Sequence, residues 1–190
     1  MEIPELQEFH LVGGTALSLL YGHRISVDLD LFSNKPFDNE FIIDILSKNF
    51  GNSYENRSKN ARFGIFCFIN DVKVDIVRHP HPIIRPEILI DGIRMFSTED
   101  IIAMKVQAIL GRGKKKDFWD IAELLKHFSI EDFIKFHKEK YATQNLLITV
   151  PQAITYFLDA DESEDPISLD NQTWEKVQDF IKKKVNNYLK

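Results

Sequence analysis

The chain has 190 residues, of which 44% are hydrophobic and 28% charged, and a formal net charge of -5. That suits one globular domain, or one domain with a small helical appendage, and excludes a protein that coats nucleic acid by bulk electrostatics. Contacts of that kind are left to local basic stretches, Arg112 with Lys114, Lys115 and Lys116, and Lys182 with Lys183 and Lys184. The lone Cys67 lies in a hydrophobic run and reads as a buried small side chain with no disulfide partner. Met1 to Pro4 shows no leader pattern and no run nears about 18 apolar residues, so the expected location is the cytoplasm, with no membrane contact.

Residues 9–12 read as a short strand running into Gly13-Gly14, and residues 15–21 as a helix closed by Gly22. Residues 28–32 read as a strand and 38–50 as an amphipathic helix with Phe41, Ile42, Ile45 and Leu46 at helical spacing. Two strand-like runs, 62–69 and 72–77, flank the hairpin signal Asn70-Asp71. Three prolines make 79–86 irregular, and 93–96 reads as one more strand. Helices follow: one from the cap Thr98, one over 115–128, then 132–141, 146–158 and 173–189. The acidic residues Asp159, Asp161, Glu162, Glu164 and Asp165 lack the glycine of a calcium loop and read as a solvated linker. The expected fold is α+β, with a core over residues 1–97 and a helical C-terminal part over 98–190 that completes the cleft.

Chemistry gathers at a few places. A strand, two glycines and a helix start make an anion site, because backbone can approach a phosphate and free N–H groups point at it. Asp28 and Asp30 sit at i and i+2 of a strand, so their carboxylates share a face while Leu29 and Leu31 point inward. Like charges so placed call for a cation, unless they lie solvated on an exposed edge strand. Asp75 stands mid-strand among β-formers, where an ionised carboxylate needs a metal, a cation or a hydrogen-bond network. It can instead pair with Lys73 or Arg62 on a solvated face. Side by side, three carboxylates can hold two divalent ions about 3.5–4 Å apart. Lys105 lies on an apolar helix face, where it either snorkels to solvent or aims at a triphosphate. Asp117 and Asp120 share a helix face; Asp117 suits a capping role, and Asp120 a general base or positioning group. Arg112 and Lys116 can bind phosphate or RNA, and Arg24 can contact a phosphate or pair with Asp28. His79 and His81 read as a loop pair.

Val12-Gly13-Gly14-Thr15-Ala16-Leu17, followed by His23-Arg24, Ser26 and Asp28-Leu29-Asp30-Leu31-Phe32, resembles the AbiEii/AbiGii toxin family of nucleotidyltransferases, in the DNA polymerase β-like superfamily. Asp75 matches its third carboxylate, Lys105 its helical lysine, and Lys116-Asp117 with Asp120 its later motif. The likeness covers about residues 8–127. It implies a nucleotidyltransferase-like mixed sheet flanked by helices, magnesium as two ions on Asp28, Asp30 and Asp75, and a nucleoside triphosphate as donor. Gly13 and Gly14 would cradle the donor phosphates, with Thr15 or Ser26 adding a hydroxyl; Asp75 would also help deprotonate the acceptor. Lys105 would neutralise the triphosphate and Asp120 would position the acceptor. The family further implies a toxin with a cognate antitoxin, acting on tRNA or another RNA. A module that binds nucleotide or antitoxin without turnover, and a kinase-like phosphotransferase, are the alternatives.

Overall fold

A computed structural model describes residues 1–58 and 62–190. Seven strands form one mixed sheet in the order β3-β4-β5-β2-β1-β7-β6. In chain order they are β1 (His10–Val12), β2 (Leu29–Ser33), β3 (Tyr54–Asn56), β4 (Gly64–Ile69), β5 (Val72–Arg78), β6 (Ile88–Ile90) and β7 (Ile93–Met95). β2 is the hinge of the topology, antiparallel to β1 and parallel to β5. The helices are α1 (Gly13–Tyr21), α2 (Asn39–Phe50), α3 (Thr98–Gly111), α4 (Lys115–His127), α5 (Ile130–Lys140), α6 (Val150–Ile154), α7 (Leu158–Asp161) and α8 (Trp174–Tyr188). The α+β class, with helices alone after the last strand, is as expected from sequence.

Local chemistry sets the element ends. Asn70 and Asp71 both take positive φ, 49° and 63°, and close the β4–β5 hairpin. Asp91 and Gly92 do the same for a β6–β7 hairpin, whose first strand is too short to carry a sequence signal of its own. The cap of α3 is Ser97, whose hydroxyl accepts from Asp100 N, and not Thr98. A single helix over 146–158 is also corrected: the Thr149–Gln152 capping box starts α6 late, and the helix is interrupted between Ile154 and Leu158.

Alternation divides β4, β5 and β2 into two faces. Ile65, Cys67, Val74 and Ile76 pack with Ile42 and Leu46 of α2, and Leu29 and Leu31 join them. Asp30 and Asp75 therefore lie on the other face. A second cluster of buried side chains runs from Leu11 of β1 through α3, α4, α5 and α6 to Val185 of α8. No helix among the described residues is long and apolar enough to cross a membrane.

Candidate active site

The strand register brings Asp30 and Asp75 together: they are paired residues on the parallel strands β2 and β5. Burial and the Asp75 charge beside it push the Asp30 carboxyl above its ordinary range. Asp75 Oδ2 accepts from Lys73 Nζ at 2.5 Å, while Asp75 Oδ1 is buried and has no hydrogen-bond partner among the described residues. Asp28 stands one residue before β2, its Oδ2 3.9 Å from Lys116 Nζ. Among the described residues no three His, Cys, Asp or Glu side chains close into a ready cage. The donor set still fits a divalent cation, because two adjacent carboxylates repel and one buried oxygen has no donor among the described residues.

The two glycines are demanded by what touches them. On the other side of Asp30, β1 pairs Val12 with it, so the start of α1 abuts the carboxylate. Gly13 has φ 71°, and a Cβ there would fall 2.8 Å from Asp30 Oδ2. A Cβ on Gly14 would fall 2.0 Å from the Arg24 guanidinium. Thr15 Oγ1 lies 3.0 Å from Ser26 Oγ and donates to the Asp28 carbonyl, so the Thr15 hydroxyl braces the Asp28 backbone.

Behind this layer lies a buried ionic knot. Arg24 donates to Asp120 through Nε (2.7 Å) and Nη2 (2.9 Å), so its partner is Asp120 and not Asp28. His23 Nε2 is 2.7 Å from Asp120 Oδ1, and Lys105 Nζ is 2.6 Å from Asp120 Oδ2 and 2.9 Å from Asp117 Oδ1. Asp120 is 0% exposed. Burial alone would raise its carboxyl, but Lys105, His23 and Arg24 outweigh burial and hold it well below the carboxylate range. Burial likewise pulls the Lys105 ammonium down, and Asp120 and Asp117 together hold it above its ordinary value. Asp117 also caps α4 through Lys114 N. Both Asp120 oxygens are committed within the knot, and Lys105 is buried there rather than snorkelling to solvent. The acidic linker is not merely solvated either: Asp161 accepts from Trp174 Nε1 at 2.6 Å, and Asp165 from Lys115 at 2.8 Å.

Of the remaining candidates, Lys116 stands half-exposed at the mouth and Arg112 is exposed. His79 and His81 sit in their loop against Tyr141, and burial lowers His79 to about 4. Sequence reasoning missed His23 as an anchor of the knot, although its place beside Arg24 was a signal. It also missed that residues 167–169 strap the 23–25 loop, with Ile25 N donating to Ile167 O and Leu169 N to His23 O. No local pattern announces that pairing. A cavity of about 800 Å³ opens elsewhere, between α5, α6 and the end of α8, and none of these carboxylates lines it.

The chain is 36% identical to an uncharacterised protein of Aquifex aeolicus, over 96% of this chain and 88% of that one. Its fold is similar to MenT4, a nucleotidyltransferase toxin of Mycobacterium tuberculosis, with a TM-score of 0.59 at 15% identity over 92% of this chain and 74% of that one. It is similar again to JHP933 from Helicobacter pylori, with a TM-score of 0.58 at 20% identity over 95% of this chain and 83% of that one. A family model described as nucleotidyl transferase AbiEii toxin, type IV TA system, matches residues 2–187, and the chain belongs to that nucleotidyltransferase family.

Proposed function

We propose that the protein moves a nucleoside monophosphate from a nucleoside triphosphate to an acceptor hydroxyl, with magnesium held by Asp30 and Asp75 and completed by Asp28. The observation that carries this reading is the in-register Asp30–Asp75 pair at the foot of the Gly13-Gly14 helix start. When bound, magnesium supplies charge neutralisation for the triphosphate and acidifies the attacking hydroxyl. The start of α1 directs backbone N–H groups toward the donor phosphates, and Lys116 meets them at the mouth. The acceptor hydroxyl gives its proton to Asp75, its oxygen bonds to the α-phosphorus, the bond from that phosphorus to the bridging oxygen breaks, and pyrophosphate leaves. Alignment and preorganised charge provide most of the rate. Asp120 and Lys105 act by holding Arg24 and the loop that leads to Asp28, rather than by touching substrate.

An RNA acceptor, such as a tRNA end, is supported by the sheet face around Asp75. Phe66 pairs with Asp75 and Phe68 with Lys73, Phe63 stands edge-on to Phe66, and the Arg57 guanidinium lies 5.9 Å from the Phe68 ring centre. Aromatic rings beside cationic side chains suit unstacked bases. The family description, a nucleotidyl transferase toxin of a type IV system, supports reading this activity as that of a toxin, with a cognate antitoxin and a nucleoside triphosphate as its partners.

The test is incubation with each α-labelled nucleoside triphosphate, magnesium and total RNA or protein. The expected result is label in RNA and release of pyrophosphate. Release of nucleoside diphosphate would identify a kinase-like transferase, and binding without product a non-catalytic module; either defeats the proposal.

A further inference from the structure

Asp75 is served by a cation of its own chain. Lys73 and Asp75 sit at i and i+2 of β5 and share a face. Lys73 Nζ lies 2.5 Å from Asp75 Oδ2, and among the described residues this is its one ion pair. The side chains differ in depth: Asp75 is 16% exposed and Lys73 44%. So the carboxylate is sunk in the site while the ammonium reaches it from the solvent side. The other lysines near the carboxylates are engaged elsewhere, Lys105 with Asp117 and Asp120, and Lys116 with Asp28. Across the strand pair Lys73 faces Phe68, which offers it no acceptor.

A pair with one half-exposed partner adds little to stability. Its weight falls on the charge of the site, where Asp30 and Asp75 already repel each other. We propose that Lys73 is an internal counter-ion of Asp75 which competes with the divalent cation for that carboxylate. Before loading the ammonium occupies Oδ2, and it leaves that oxygen when the metal arrives. This inference rests on reading Asp30 and Asp75 as the metal site.

The experiment is titration of the purified full chain with Mn²⁺ alone, followed by calorimetry and by the paramagnetic signal of free ion. Lys73→Met and Lys73→Gln remove the charge, Lys73→Arg keeps it, and Asp75→Asn removes the ligand. Both neutral variants should bind Mn²⁺ about tenfold more tightly than the wild type, with an unchanged melting temperature. Lys73→Arg should stay within about twofold of the wild type. A purely structural lysine would move the melting temperature and not the affinity. If the neutral variants match the wild type while Asp75→Asn loses binding, the counter-ion role is overturned and the metal site stands. If the wild type and Asp75→Asn bind alike, or neither binds, both fail together.

Discussion

Gly13 and Gly14 each answer to a different neighbour. From sequence the pair reads as a phosphate cradle; the structure adds that Gly13 keeps clear of Asp30 and Gly14 of Arg24. That could not be read locally, because each neighbour arrives from a different segment. Gly14→Ala is expected to lose about 1–3 kcal/mol of stability by forcing the guanidinium off Asp120, as measured by urea unfolding. Asp30 shows the opposite tension. Its folded-state value lies above its unfolded one, so the group favours folding only below the ordinary carboxylate range, and that contribution is lost as pH rises through the folded value. At neutral pH Asp30→Asn should therefore raise the melting temperature, by about 2–4 °C if the relief is near 1 kcal/mol, while abolishing transfer. Magnesium should stabilise the wild type and not this variant, and thermal unfolding with and without the ion checks both.

At the scale of elements, α3, α4 and the loop after α1 are bound by the charges around Asp120. The spacing of Asp117 and Asp120 placed them on one helix face from sequence alone. What covers that face was not legible, because Lys105 reaches it from α3 and Arg24 from the far side of Gly22. Asp120→Asn should cost about 3–5 kcal/mol, since the charge shared by Arg24, Lys105 and His23 is lost and one accepting oxygen becomes an amide donor. The folded-state values of Asp117 and Asp120 lie below the unfolded ones, so their contribution is present above the ordinary carboxylate range and is lost as pH falls through it and beyond. Acid unfolding of Asp120→Asn should accordingly show a shallower pH dependence than that of the wild type. The strands show the same limit. β4 and β5 were legible from long β-forming runs, whereas β3 and β6, three residues each, exist through their partners.

Across the whole molecule, the sequence marks where strands cease, and β7 indeed ends at Met95. It does not mark that one buried cluster continues from β1 into α8. Trp119 and Trp174 stack at 5.7 Å, joining α4 to α8 near the ionic knot. Ile181→Ala, in α8 and far along the chain from the carboxylates, should cost about 2–5 kcal/mol. Tryptophan fluorescence and circular dichroism should then report one shared transition, and separate transitions would mean that the helical part folds by itself. The central claim, that Asp30 and Asp75 together hold a divalent ion, is tested most directly by anomalous scattering from crystals grown with Mn²⁺ and a non-hydrolysable nucleoside triphosphate. The account predicts a manganese peak bound by both carboxylates beside the start of α1. A nucleotide-loaded crystal with manganese elsewhere, or with none at that pair, would contradict it.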